Sequence, residues 1–187
     1  QVQGRASLAG NLGNASPAAD SVPAMIAAGA IAVIAGPNGR RSVKVEQVCI
    51  APGRTSLAKD EFIVEFHLPK PAARSADAYL RFIPRTEMDI AVVGAGVCMT
   101  LDAGGAITAA LGALGAVAPT ALLVADCTTA IIGTRLDEHA LARLGLAARA
   151  ACPPIDDKRG TIDIRIKVAG VLARRAAIIA HKRAGAR

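Results

Sequence analysis

The stretch on which the interpretation of this chain depends is QVQGRASLAGNLGNASPAAD, residues 1–20. At its centre, residues 7–11 are mostly small, and small side chains let backbone N–H groups approach a phosphate closely. The hydroxyl of Ser7 adds a further donor, although such a loop alone is weak evidence for an anion site. After this loop a helix is predicted over residues 20–28, with Asp20 as its cap and Pro23 in its first turn.

Strand patterns follow this helix. A Gly-Pro-Asn-Gly turn at residues 36–39 separates two apolar runs, residues 31–35 and 42–48, and predicts a hairpin. Residues 62–68 alternate as a strand does and end at Pro69. The stretch from 69 to 75, rich in proline and alanine, is the predicted linker.

The second half of the chain has strands first and helices afterwards. The strands are predicted at residues 78–83, 89–101 and 106–114, with a turn at 102–105. The helices are predicted at residues 120–132 and 137–151, and from about residue 157 onward. The apolar face expected for the last helix carries Ile162, Ile166, Ala169, Leu172, Ala176 and Ile179. This order, without regular alternation of strand and helix, predicts an α+β fold.

The composition favours some classes of function over others. The net charge of +7 would suit a nucleic-acid partner, but with one Tyr, three Phe and no Trp the chain lacks aromatic residues for base stacking. We therefore predict no nucleic-acid partner, and keep a basic nucleic-acid binder only as a third alternative. No apolar run is long enough to predict a transmembrane helix.

The four cysteines and three histidines are scattered along the chain, and their spacing predicts no metal site. Reduced thiols in a cytoplasmic protein are the simplest interpretation of the cysteines. The chain does not begin with Met and shows no signal sequence, so we expect its beginning to be missing.

One stretch imitates a dinucleotide-binding fingerprint. VVGAGVCM, residues 92–99, follows the pattern of a strand that leads into a glycine-rich turn. Met99 occupies the third glycine position, however, and the turn at 102–105 leaves no room for the helix that must follow. We therefore predict that Gly94 and Gly96 are small residues of a tightly packed strand.

Four segments in order resemble the FAD-binding medium subunit of the molybdenum hydroxylases, the carbon monoxide and xanthine dehydrogenase type. Residues 1–20 resemble the family's second FAD loop, and DEFIVEFHLP, residues 60–69, resembles one of its strands. YLRFIPRTEMDIA, residues 79–91, is similar to a third motif, and PPIDDKRG, residues 153–160, to the segment before the final helix. The family's first FAD loop has no counterpart here, so the resemblance is to the C-terminal portion.

The resemblance implies a fold and a set of cofactor-binding residues. Residues 1–76 are expected to form the rear part of a vanillyl-alcohol-oxidase (PCMH)-type FAD-binding domain, and residues 77–187 a CO dehydrogenase flavoprotein C-terminal-like domain. The implied FAD-binding residues are Ser7, Leu8, Ala9, Gly10, Asn11, Ser16, Asp20, Ile63, Tyr79 and Arg81. No catalytic residue and no metal ligand is implied in this chain.

The resemblance also assigns roles within this set. Residues 7–11 are expected along the FAD pyrophosphate, with Asp20 nearby, and Ile63 against the flavin or adenine. Arg81 replaces a cofactor-contacting lysine, which keeps the charge but changes the hydrogen-bond geometry. Tyr79 is expected near the isoalloxazine. Without the resemblance, Ser16 and Asp20 would be interpreted as helix-starting residues, and Tyr79 as a half-buried strand residue.

For function, the resemblance implies an electron-transfer subunit that contains FAD. Its expected partners are a large molybdopterin-binding subunit and a small subunit with [2Fe–2S] clusters, assembled as a dimer of heterotrimers. Electrons would pass from those clusters to FAD and then to an external acceptor. The alternative is a non-catalytic module for subunit assembly, whose truncated FAD site is empty.

Asp89 and Arg85 are expected to pair with each other, and Asp156, Asp157 and Arg159 to start the last helix.

Overall fold

The computed structural model describes residues 4–85 and 89–186, and within them it confirms the predicted α+β fold. Residues 1–3 and 86–88, which belong to two of the motifs above, lie outside the described residues. The elements in chain order are α1 Leu8–Gly13, α2 Ser21–Ala27, β1 Ile31–Gly36, β2 Gly39–Lys44, a 3-10 turn Val45–Gln47, β3 Cys49–Ala51, β4 Arg54–Thr55, β5 Phe62–His67, β6 Ser75–Phe82, β7 Val93–Leu101, β8 Ile107–Gly115, β9 Leu122–Leu123, α3 Ala125–Ile131, α4 Glu138–Ala150 and α5 Ile162–Gly185.

The first sheet is antiparallel, with the strand order β2-β1-β5. It confirms the predicted hairpin, whose turn has Gly39 at a positive φ of 104°. The second hairpin strand ends at Lys44 rather than at residue 48, because the side chains of Val45 and Val48 pack in the apolar cluster beneath α2. The loop predicted before α2 was wrong in part, since its centre forms the short helix α1.

The second sheet, in the order β6-β7-β8-β9, is also antiparallel and confirms the three predicted strands, although the middle one begins at Val93 rather than at residue 89. One of its faces packs against α5 and α3, and α2 packs against β7 and β8 on the other face. The helix predicted at residues 120–132 is wrong in its first part. Leu122 and Leu123 pair with the end of β8 instead, so α3 begins only at Ala125.

Helix α5 buries a face made of very small side chains. Ala169, Leu172 and Ala176 of the predicted stripe are buried, but Ile162 is 39% exposed, which corrects that part of the prediction. The rest of the buried face is mainly alanine and glycine. Small side chains let the helix axis lie close to the sheet and to α4, and the larger isoleucines are left toward the edges.

Gly94 and Gly96, from the stretch that imitates a dinucleotide-binding fingerprint, lie inside β7. A Cβ atom on Gly94 would lie 2.7 Å from the hydroxyl oxygen of Tyr79, and one on Gly96 would lie 2.9 Å from the carbonyl oxygen of Pro23. Both positions therefore require glycine for packing, as predicted. Within the described residues, no helix combines the length and apolar character needed to cross a membrane.

Candidate functional site

Helix α1 holds the small-residue segment in a fixed conformation. Ser7 is its N-cap, with extended backbone, and the Ser7 hydroxyl accepts a hydrogen bond from the N–H of Gly10 at 3.0 Å. The N–H groups of a first helical turn have no intrahelical acceptor, and those of Leu8 and Ala9 lie in this turn. These two amides can therefore donate to an anion, whereas the amide of Gly10 already has a partner within the loop.

Asn11 links α1 to the beginning of α2. Its side-chain oxygen accepts hydrogen bonds from the N–H of Ser21 at 3.2 Å and from the Ser21 hydroxyl at 2.6 Å. The predicted capping role of Asp20 was wrong: Asp20 occupies the N-cap position with helical backbone angles, but its side chain makes no capping hydrogen bond. Because Asn11 serves the first turn of α2, the carboxylate of Asp20 is available for other partners.

Those partners come from β6. Asp20 forms an ion pair with Arg81, and the Tyr79 hydroxyl donates to the other carboxylate oxygen at 3.4 Å. Burial raises the pKa of the Tyr79 phenol well above its usual value, and the negative charge of Asp20 raises it further. Tyr79 therefore remains a protonated donor. The side chains of Asp20 and Arg81 are 45% and 36% exposed, so this cluster is open to solvent on one side.

Glycines at the sheet surface allow these elements to meet. The ring of Tyr79 covers Gly94, and the first turn of α2 lies against Gly96. A Cβ atom on Gly115 would lie 2.5 Å from Cγ of Pro23. Because Gly96 and Gly115 have no side chain, the N-terminus of α2 can lie directly on the sheet, and Gly94 leaves room for the Tyr79 ring. This packing brings Asp20 to Arg81.

Two predicted residues lie apart from this cluster. Ser16 accepts a hydrogen bond from the N–H of Ala18 at 3.3 Å and lines a cavity of about 270 Å³ together with Pro17 and Arg165. Ile63, in β5, is half-buried and packs against the apolar cluster that contains Leu12 of α1. The structure thus brings together Asp20, Tyr79 and Arg81 and joins them to α1 through the contact of Asn11 with Ser21, while Ser16 and Ile63 make other contacts.

The predicted pair of Arg85 and Asp89 is confirmed at 3.5 Å, and a partner that the sequence did not indicate joins it. Arg159 lies 2.9 Å from the Asp89 carboxylate, and its hydrogen bond, more than any other contact, holds the pKa of Asp89 below its usual value. Arg165, also not predicted, pairs with Asp157 at 2.7 Å.

The last helix was predicted to begin near Asp157, but α5 begins at Ile162 with Thr161 as its N-cap, because residues 157–160 form a turn that the Asp157 carboxylate closes. Asp156 accepts a hydrogen bond from the N–H of Ile162, and Thr161 accepts one from the N–H of Ile164 at 3.3 Å. Asp157 accepts hydrogen bonds from the N–H groups of Arg159 and Gly160.

The chemistry of the cluster suits an anionic ligand with a planar ring. The guanidinium of Arg81 offers positive charge and donors, the first-turn amides of α1 offer further donors, and Tyr79 contributes an aromatic ring beside Asp20. Within residues 4–85 and 89–186, no three His, Cys, Asp or Glu side chains are grouped so that they could hold a metal ion.

Two family models together match most of the chain. The family model described as the CO dehydrogenase flavoprotein C-terminal domain matches residues 78–180. The model described as the FAD binding domain in molybdopterin dehydrogenase matches residues 1–71. The carbon monoxide dehydrogenase medium chain of Afipia carboxidovorans is 32% identical to this chain over 98% of it and 63% of the relative. The corresponding chain of Hydrogenophaga pseudoflava is also 32% identical, over 94% and 61%.

Solved structures agree with the sequence relatives. Reconstituted CO dehydrogenase from Oligotropha carboxidovorans matches with a TM-score of 0.93 and 30% identity, over 98% of this chain and 63% of the other. Quinoline 2-oxidoreductase from Pseudomonas putida 86 matches with a TM-score of 0.88 and 28% identity over the same shares. The chain thus spans less than two thirds of the length of these proteins.

Proposed function

The chain belongs to the CO dehydrogenase flavoprotein family, and we propose that it is the part of an FAD-binding electron-transfer subunit that holds one side of the cofactor. The observation that carries the proposal is the cluster of Asp20, Arg81 and Tyr79, joined to α1 through Asn11. These residues come from two distant motifs, and both motifs match the family in sequence.

Each residue has a proposed part in holding FAD. The amides of Leu8 and Ala9 donate to the pyrophosphate, while Ser7 and Gly10 keep the loop in shape. Arg81 supplies a positive charge to the cofactor, and Asp20 orients Arg81. Asn11 holds α1 against α2, so that the pyrophosphate loop and the Asp20 cluster keep their relative positions.

We also propose FAD contacts for Tyr79, Ile63 and Ser16. Tyr79 offers an aromatic ring and a hydroxyl that stays protonated, which suits contact with the isoalloxazine. Ile63 and Ser16 would reach FAD only from the edges of the site, because their contacts lie elsewhere. We also propose that residues 1–76 and 77–187 correspond to the two domains of the family, with the site at their junction.

We further propose the place of this subunit in a larger enzyme. Bound FAD supplies redox chemistry that links single-electron donors to an external acceptor. A large molybdopterin-binding subunit would oxidise the substrate, and a small [2Fe–2S] subunit would deliver electrons to the flavin, in a cytoplasmic dimer of heterotrimers. The residues of this chain would bind the cofactor, orient it and exclude water from one side.

The second candidate function is a subunit-assembly module without bound flavin. It draws support from the positive charge of the chain, which suits contact with acidic neighbouring subunits. The two candidates differ in a measurable way, because an assembly module needs no cofactor.

The experiment that separates them is isolation of the full-length protein with whatever co-purifies with it. The flavoprotein proposal predicts the yellow colour and visible absorption of oxidised flavin. It also predicts FAD in the denatured extract, together with molybdopterin and iron–sulfur subunits in the complex. A complex with the same subunits and a colourless medium subunit would instead support the assembly module.

A further inference from the structure

We propose that Arg165 is a positioning residue for the flavin site, an inference that rests on the proposed function above. Arg165 lies in the first turn of α5 and is only 4% exposed. Arginine is rarely buried to this extent, because removing a guanidinium from water is costly unless it is well hydrogen-bonded. The groups that it contacts therefore indicate what it does.

Arg165 joins three backbone segments that are far apart in the chain. Its Nη1 donates to the carbonyl oxygens of Val92 at 2.7 Å and of Ala116 at 3.0 Å, and its Nη2 lies 2.7 Å from the carboxylate of Asp157. Val92 immediately precedes β7, and Ala116 immediately follows β8. The planar guanidinium can serve these acceptors at once, which the single ammonium of lysine cannot do with the same geometry.

One path leads from Arg165 toward Asp20. The N–H of Ala116 donates to the carbonyl oxygen of Pro17 at 2.8 Å. Ala116 has a positive φ of 62°, in the left-handed region that residues with a side chain rarely adopt. Hydrogen bonds on both sides of Ala116 hold it there. Because Pro17 lies in the connection between α1 and α2, this path supports the segment that carries Asp20.

A second path leads from Arg165 toward Arg81. The N–H of Val92 donates to the carbonyl oxygen of Phe82 at 2.9 Å, and Phe82 directly follows Arg81 in β6. The ion pair of Asp89 with Arg159 strengthens this connection, since it ties the segment between β6 and β7 to the segment before α5.

The first path ends at Pro17, three residues before Asp20, and the second ends at Phe82, next to Arg81. None of the hydrogen bonds given above joins Arg165 directly to Asp20 or Arg81. Arg165 therefore acts through the backbone: it fixes the two segments whose side chains must meet at the cofactor. Side chains at a binding site keep a productive geometry only when such supporting contacts hold them. Removal of Arg165 should let the two segments move relative to each other and weaken the hold on FAD.

The test compares full-length Arg165→Met protein with a matched control, Arg143→Met. Arg143 also donates to a backbone carbonyl, that of Ala130 at 2.9 Å, but between α3 and α4, away from the site. We expect the FAD dissociation constant of Arg165→Met to rise about tenfold or more. We also expect the visible circular dichroism of its bound flavin to change at saturating FAD. Arg143→Met should match the wild type in both measurements.

A second variant, Arg165→Gln, keeps a polar group that is too short to reach all three partners. The same changes are expected in it, so that the test does not depend on how well the methionine variant folds. Either variant, folded and with unchanged affinity and dichroism, would overturn the inference. If Arg81→Met weakens FAD binding and the Arg165 variants do not, only this inference fails. If the wild-type protein binds no FAD, the proposed function fails with it.

Discussion

Asp20, just before α2, forms an ion pair with Arg81 of β6, 61 residues further along the chain. The pair joins the small-residue motif to the first strand of the second sheet. Neither residue is deeply buried, so the pair itself contributes only about 1 kcal/mol or less to the stability of the fold. The pair matters because it fixes the positions of the Arg81 guanidinium, the Asp20 carboxylate and the Tyr79 hydroxyl relative to one another.

Gly10→Val should lower FAD occupancy while the protein remains folded. A Cβ atom at Gly10 would lie 3.0 Å from Oγ of Ser7, so a branched side chain there disturbs the cap as well as the approach of a phosphate. Gly13→Val is the matched control, because a Cβ atom at Gly13 meets nothing within 4 Å. Flavin content per folded chain is the measurement. Equal flavin in both variants would argue against this loop as the pyrophosphate site.

Gly96→Ala should destabilise the protein, because the added Cβ would lie 2.9 Å from the carbonyl oxygen of Pro23, a backbone atom that cannot easily move. Overpacking of this kind typically costs about 1–3 kcal/mol. Gly4→Ala has open space around the new atom and should change stability far less. Urea unfolding of both variants tests the close packing of α2 on β7, and equal midpoints would contradict it.

Asp89→Asn should destabilise the protein at neutral pH and make less difference in acid. The hydrogen bond from Arg159 holds the folded pKa of Asp89 below its ordinary value, so this carboxylate stabilises the fold above the unfolded pKa, about 4. That contribution is lost as the pH falls through the folded pKa. Unfolding measured from pH 7 down to pH 3 should show the gap between wild type and variant closing. A gap that stays constant would show that the charge is not responsible.

The four cysteines should differ in reactivity in the native protein. Burial raises the pKa of Cys127 to about 12 and that of Cys152 to about 11, so each forms little thiolate near neutral pH. We expect native protein to be alkylated slowest at Cys127, and denatured protein without reductant to react at all four positions. Recovery of two fewer thiols after denaturation would indicate a disulfide and contradict a reducing compartment.

The elements with strong local signals were predictable from the sequence. The turn at 36–39 and the alternation before Pro69 each depend on a few adjacent residues. Helix α1 was not predictable, because six residues are too few to show a helical period. Leu122 and Leu123 look helical in isolation, and only the open edge of β8 makes them a strand.

The candidate site was predicted as a set of residues but not as an arrangement. The family resemblance indicated Asp20, Tyr79 and Arg81, yet the local pattern favoured a helix cap for Asp20. Asn11 takes that capping role through a contact ten residues away, which no local rule anticipates. Arg165 was missed because a lone arginine in an amphipathic helix normally faces solvent, and its burial depends on strand ends that lie elsewhere in the chain.

The proposed flavin site is tested best by the FAD dissociation constant of the full-length protein with Arg81 changed in two ways. Arg81→Met removes the cation from the cluster and should raise the dissociation constant about tenfold, as expected for loss of a charged hydrogen bond. Arg81→Lys restores the residue that the family pattern has at this position and should bind nearly as well as the wild type. Arg40→Met, which removes an exposed arginine from β2, controls for the change in net charge. If Arg81→Met binds FAD as tightly as the wild type and Arg40→Met, then the cluster of Asp20, Arg81 and Tyr79 is not the flavin site.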